Sequence, residues 1–302
     1  MNQKLLTKLI PMTIVLAVLT GITVAVAAGV WSYIHIDNND GMSNSSVNVI
    51  FQDKNDILWM GTWDGLNRYD GNHIVQYRAI SRDTTTLSNP IVRNIIEEDD
   101  IYLWVITDMG INRLDRRTNT FRRYYLDNGS SKVGYAEKSF HCTYNGAGLL
   151  LAHRDGGRLL KFNREKQTFE PIPMNYAPQE NIRQMCFSDR RHLIIVTDHW
   201  MSEYIVTTRC HLRLMRRIRS IGTPIFDPQG QGYIQKNREV YRLTNNLGLR
   251  RTGIMIDGML TAISTKGKQI AIASTDGYYL YSGQKPLGHY MAGTGVTALF
   301  HG

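Results

Sequence analysis

The chain has 302 residues, of which 42% are hydrophobic and 20% charged, with 26 glycines and 8 prolines. That balance supports one large or two modest globular domains and excludes collagen-like, disordered and wholly membrane-embedded classes. Lys and Arg number 35 against 26 Asp and Glu, a net charge of +9, and the three cysteines (Cys142, Cys186, Cys210) are too few and too far apart for a disulfide framework.

Residues 1–8 carry Lys4 and Lys8, and the next 22 positions, Leu9 to Val30, contain no charge. Ala25, Val26 and Ala27 give the small-residue spacing accepted at secretory cleavage sites. The segment reads as a signal peptide over residues 1–27. The same length would also span a bilayer as a retained anchor with Lys4 and Lys8 inside. Either way the remainder is exported, through a short linker at 28–41, into a domain at 42–302.

From Met42 the chain repeats. Residues 42–70 align without a gap to residues 87–115, an offset of 45, and eleven of 29 positions are identical, among them Ser43, Trp59, Thr62, Gly65, Asn67, Arg68 and Asp70. Two periods further on, residues 193–198 match residues 103–108, and weaker copies lie at 148–172, 224–244 and 260–283. Residues 296–302 resemble the opening of a repeat, Val47 to Asp53, so six intervals average 41.5 residues. Short β-branched and aromatic runs, bounded by Asp, Asn and Gly clusters, predict four strands per repeat. A period of about 40 to 50 residues with four strands is that of a propeller blade. No amphipathic run at period 3.6 follows residue 36, which excludes a helical solenoid. The fold expected is therefore all-β, a β-propeller of six repeats plus the start of a seventh, preceded by the signal or anchor helix. Closing the ring then calls for further chain, or for residues 296–302 to complete the first blade of a six-bladed ring.

Residues 46–70, with Ser-Val-Asn-x-Ile-Phe-Gln-Asp, Leu-Trp-Met-Gly-Thr and Trp-Asp-Gly-Leu-Asn-Arg-Tyr-Asp, resemble the two-component-regulator propeller repeat. The likeness is strong over 42–131, recognisable to 200 and faint to 302. It implies the extracytoplasmic sensor region of a Bacteroidetes hybrid two-component receptor. Such a receptor is periplasmic, attached to the inner membrane, dimeric, and continued by a histidine kinase of which this chain shows no motif. It implies a glycan ligand and no nucleic-acid partner.

Because a residue set repeated in every blade serves packing and turn geometry, Arg68 with Asp70 and Arg113 with Asp115 are expected to be structural. Trp59 and Trp104 are expected in the core between blades, and Gly65 and Gly110 at positive φ in tight turns. The arginines at 113, 116, 117, 122 and 123, with those at 213, 216, 217 and 219, do not read as a phosphate-binding patch; residues 115–121 read as an exposed hairpin between the last two strands of a blade, where basic residues are ordinary. The His and Cys residues lack metal-site spacing, no catalytic fingerprint is present, and neither cofactor nor metal is expected. Candidate ligand residues come from the turns between second and third strands, which emerge on one face: Trp63, Asp64, Asp108, Asp198, His199, Trp200 and Asp276. Aromatic faces suit the C–H surfaces of sugars and carboxylates their hydroxyls. The competing readings are a secreted propeller lyase or glycosidase and a scaffold for protein partners.

Overall fold

A computed structural model describes residues 35–126, 140–154, 158–172 and 182–299. The apolar segment Leu9 to Val30, the linker as far as residue 34 and residues 300–302 lie outside them. Residues 37–302 form one compact unit. Among the described residues no helix is long and apolar enough to cross a membrane.

The unit is a β-propeller of six four-stranded antiparallel blades. Blade 1 comprises Val47–Gln52, Leu58–Thr62, Gly65–Tyr69 and Ile74–Tyr77, and blade 2 comprises Val92–Glu97, Tyr102–Thr107, Gly110–Asp115 and Thr120–Tyr124. Blade 3 follows with Phe140–Tyr144, Leu150–Arg154, Leu160–Asn163 and Thr168–Pro171, and blade 4 with Ile182–Phe187, His192–Thr197, Trp200–Val206 and Leu212–Arg219. Blade 5 is Ile225–Phe226, Gly232–Lys236, Glu239–Leu243 and Leu249–Met255; blade 6 is Leu260–Lys266, Gln269–Ser274, Gly277–Ser282 and Lys285–Tyr290. The second strands are the most deeply buried because both of their faces are covered by neighbouring blades, as in Leu103, Trp104, Val105 and Ile106. Trp59 is buried in the cluster between blades 1 and 2, and Trp104 in that between blades 2 and 3, as expected.

The identities between the first two repeats serve a buried polar network. The Ser43 N–H donates to Asn67 Oδ1 at 2.8 Å, the Ser43 and Thr62 hydroxyls meet at 3.0 Å, and Thr62 Oγ1 donates to the Gly65 carbonyl at 2.9 Å. Ser88, Asn112, Thr107 and Gly110 repeat these bonds at 2.8, 2.9 and 2.9 Å. Each group would be costly to bury alone, so all members recur together. One expectation fails here. Gly65 has φ of 124°, whereas Gly110 lies outside the left-handed region, so the shared glycine answers to positive φ only in blade 1. At Gly110 space is the constraint, since a Cβ would meet Ser88 Oγ at 3.1 Å and the Tyr124 carbonyl at 3.2 Å.

The first strands of blades 1 and 2 are linked through a side chain in the second position: Asn48 Nδ2 donates to the Val92 carbonyl at 3.0 Å. Thr261, at the same position in blade 6, donates to the Val296 carbonyl, and Thr297 Oγ1 donates to the Val47 carbonyl at 2.6 Å. Residues 296–299 thus sit between the first strands of blades 6 and 1.

A second device joins blades at the opposite ends of the strands. The Asp53 carboxylate, just past the first strand of blade 1, accepts from Trp59 Nε1 at 2.9 Å and from Arg116 of blade 2 at 2.8 Å. Glu98, the same position in blade 2, is gripped by Arg113 in two bonds of 2.7 and 2.9 Å and by Arg164 of blade 3 at 2.9 Å. Arg113 also lies 3.6 Å above the Tyr102 ring. Arg116 is therefore not the ordinary exposed hairpin residue expected from its neighbours. It begins the turn between third and fourth strands, where a long side chain reaches back to the preceding blade.

Candidate functional site: the rim of the turns between second and third strands

The turns at 63–64, 108–109, 198–199, 237–238 and 275–276 connect second to third strands and so emerge at the same end of every blade. The seven candidate residues fall into two groups and one outlier. In the first group Trp63, 49% exposed, lies under the Arg93 guanidinium, which is 5.0 Å from the ring centroid. Arg93 also holds Asp108 in two bonds of 2.6 and 2.9 Å, so one arginine bridges the aromatic of blade 1 and the carboxylate of blade 2. Asp64 pairs with Arg78, whose Nη2 also donates to the Ser43 carbonyl at 3.2 Å.

The second group is in blade 4. Asp198, His199 and Trp200, with Arg219 and Ser220 at the end of the fourth strand, line a cavity of about 510 Å³. Asp198 pairs with Arg183, Arg217 stands 5.2 Å from the Trp200 ring centroid, and the Ser220 N–H donates to the His199 carbonyl at 2.7 Å. The outlier is Asp276. Its Oδ1 accepts from the Gly293 N–H at 2.9 Å and its carbonyl bonds His289 Nε2 at 2.8 Å, so it is engaged in shaping its own loop.

The rim is less acidic in effect than its carboxylates suggest, because three of them are held by arginine. Arg78, Arg93 and Arg183 were not among the expected site residues. The signal was present: Arg93 with Asp108 and Arg183 with Asp198 are each 15 apart and recur two 45-residue periods later. Paired charges with an exposed aromatic form a surface that hydrogen-bonds and stacks. Among the described residues no group of three or more His, Cys, Asp or Glu is placed to hold a metal ion. Two of the thiols are disfavoured as thiolates: burial raises the Cys142 pKa, and burial followed by the Asp227 charge pushes Cys186 up to about 12.

Residues 41–64 match the family model described as two component regulator propeller. The chain carries a two-component regulator propeller repeat. That repeat covers the first two strands of blade 1 and the Trp63–Asp64 turn. Over 49 residues the chain is 51% identical to histidine kinase P4 of Formosa agariphila, a match covering 16% of this chain and 4% of that protein. The propeller superposes on the extracellular domain of a hybrid two-component system of B. thetaiotaomicron with a TM-score of 0.65 and 16% identity, covering 87% of this chain and 38% of that one. It also superposes on virginiamycin B lyase of Staphylococcus aureus with a TM-score of 0.60 and 11% identity, over 85% and 89% of the two chains. The chain thus spans little more than a third of the sensor ectodomain and a twenty-fifth of the kinase, and at these identities the structural likenesses establish the fold.

Proposed function

We propose that this chain is the ligand-perceiving propeller of a two-component signalling receptor, placed outside the cytoplasmic membrane, and that it acts by binding. The observation that carries this reading is the two-component regulator propeller match at 41–64, reinforced by the 51% identity to a histidine kinase across 49 residues. The ligand class we assign to the rim is an oligosaccharide. Trp63 and Trp200 offer rings for the apolar faces of sugars, and the arginine-held carboxylates of Asp64, Asp108 and Asp198 offer fixed acceptors for hydroxyls. His199 adds a further polar group beside Trp200 in the 510 Å³ cavity. The receptor works as a homodimer, with the membrane attachment supplied by residues 1–27 or by a helix elsewhere in the receptor.

The lyase superposition gives the enzymatic alternative a specific basis, since that protein covers nearly its whole length with the same fold. Ion-paired acids on the rim favour binding over acid–base chemistry, which needs a carboxyl free to exchange its proton. Calorimetric titration of the ectodomain with a panel of neutral and acidic oligosaccharides tests both. Binding without consumption, weakened by Trp63→Ala or Trp200→Ala, supports the sensor. Turnover that is abolished by one Asp or Glu substitution overturns it.

A further inference from the structure

The junction between blades 4 and 5 departs from the pattern that seals blades 1 to 3, and the departure is concerted. Exactly two periods separate the corresponding residues: Ser188 stands where blade 2 has Glu98, Ile194 where it has Trp104, and Glu203 where it has Arg113. Strand register places Asn245 of blade 5 where Arg116 and Arg164 begin the corresponding turns. All four members of the clasp are thus replaced. The receiving carboxylate is gone, the indole is smaller, one arginine has become an acid and the other an amide. What remains is a polar cavity of about 480 Å³ between the blades. It opens among the turns joining first to second and third to fourth strands, at the strand ends opposite the rim.

The cavity's charges are of both signs and incompletely matched. The Glu203 side chain is only 17% exposed, and its nearest cation, Arg216, stands 4.0 Å away, beyond hydrogen-bond distance. Asp189 pairs with His192 Nδ1 at 2.7 Å at the mouth. Arg242, on the third strand of blade 5, lines the same space with its guanidinium in no ion pair or side-chain hydrogen bond among the described residues. A ligand with a net positive charge would meet Arg242 and Arg216, and one with a net negative charge Glu203 and Asp189. A neutral polyol would leave the part-buried Glu203 and the exposed Arg242 at the edge of the cavity both unmatched. A molecule carrying one charge of each sign meets none of these costs.

We propose that the cavity between blades 4 and 5 binds a small zwitterion of the α-amino acid or dipeptide class, its ammonium group on Glu203 and its carboxylate on Arg242. Glu203 takes the ammonium where, two junctions away, the Glu98 carboxylate takes Arg113 and Arg164. Arg242 matches a carboxylate through two parallel N–H···O bonds. The site is separate from the rim and does not depend on the oligosaccharide assignment there.

The test is calorimetry and thermal-shift measurement on the full chain with glycine, L-serine, L-glutamine, L-glutamate, L-lysine and glycylglycine, each at up to about 10 mM, where a Kd near 1 mM still registers. At least one is expected to bind, and its N-acetyl and C-amide derivatives to bind about tenfold or more weakly, a comparison needing no variant. Glu203→Gln and Arg242→Gln should each weaken binding by about tenfold or more, and Lys285→Gln, exposed on blade 6, should leave it unchanged. The proposal is overturned if none of the six binds, if blocking either terminus has no effect, or if maltose binds in their place with an affinity that Glu203→Gln reduces.

Discussion

Blades 1 to 3 and blades 4 to 5 solve one problem in opposite ways. Wedge-shaped blades leave a gap at each junction just past the first strand. Between blades 2 and 3 the gap is filled by an indole, a carboxylate and two arginines, whose bonds leave Glu98 almost wholly enclosed. Between blades 4 and 5 the same positions carry isoleucine, serine, glutamate and asparagine, and the gap stays open. Between blades 3 and 4 it closes without charge: Asn145 stands at the acid's position and Val206 at the arginine's, inside an apolar cluster with Leu151 and Tyr204. Three chemistries at one geometric position show that the ring asks only for filled volume and matched charge. A junction with neither has been left available for something else.

That contrast makes its strongest claim at the indole. Trp104→Ala should lower stability by about 3 to 5 kcal/mol, as for other buried large-to-small changes. Ile194→Ala, at the corresponding place beside the open cavity, should cost about 2 kcal/mol, the low end of its class, because its surroundings are already incompletely packed. Denaturant midpoints of the two variants measure the difference directly, and equal losses would mean that the two junctions are packed alike.

Next comes the carboxylate. Glu98→Ala leaves Arg113 buried beside an apolar gap and should cost about 3 kcal/mol, since removing one partner strands the other. Ser188→Ala, exposed at the equivalent position, should stay within about 0.5 kcal/mol. A Glu98→Ala variant as stable as the parent would show that the arginines find other partners and that the clasp is ornamental.

The glycines sharpen the comparison on a smaller scale. A Cβ at Gly65 would lie 2.5 Å from the Tyr77 carbonyl on a backbone at φ of 124°, so Gly65→Ala should cost about 1 to 3 kcal/mol. At Gly110 the nearest atoms are at 3.1 Å and beyond and the backbone is not left-handed, so Gly110→Ala should cost less than about 1 kcal/mol. Thermal unfolding of the pair would separate a position where a left-handed backbone and a close carbonyl both oppose a side chain from one where only a moderate contact does, at two positions that look the same in sequence.

Much of this architecture is written locally. The 45-residue offset, the alternation of apolar strands with Asp and Gly turns, and the recurrence of Trp59 at Trp104 are short-range or periodic, and they carry the propeller and its core. What escapes is what depends on meetings between blades. Arg116 looks like its exposed neighbour Arg117 because nothing nearby reveals that it reaches 63 residues back to Asp53. The first strand of blade 3, Phe140–Tyr144, lies outside the repeat boundaries read at 148–172, because the interval leading to it breaks the 45-residue period. On the rim, the turns were legible from their composition, but the arginines that hold their acids sit on first strands, as Arg93 and Arg183 do, or just past a fourth strand, as Arg78 does. The cavity is the hardest to see, because it consists of four residues that are absent from a pattern, and absence shows only once the strands are in register.

The smallest effect expected is at Arg117, Arg116's exposed neighbour. Its Nη2 lies 2.7 Å from Asp115 Oδ2, and bonding to Arg117, side chain first and backbone N–H with it, brings the Asp115 pKa down from 3.8 to about 2. Because the arginine is largely exposed, water and salt screen the pair, and Arg117→Ala should leave stability at neutral pH almost unchanged. The sign of its pH dependence is fixed. A carboxyl with a lowered folded-state pKa contributes stability that is complete above the unfolded value of 3.8 and fades as pH falls through about 2. Urea midpoints of the parent and Arg117→Ala should therefore differ slightly at pH 6 and converge as pH is lowered toward 2. By contrast, a loss at neutral pH as large as that of Arg116→Ala would place Arg117 in a clasp like that of Arg116 and erase the distinction between the two adjacent arginines.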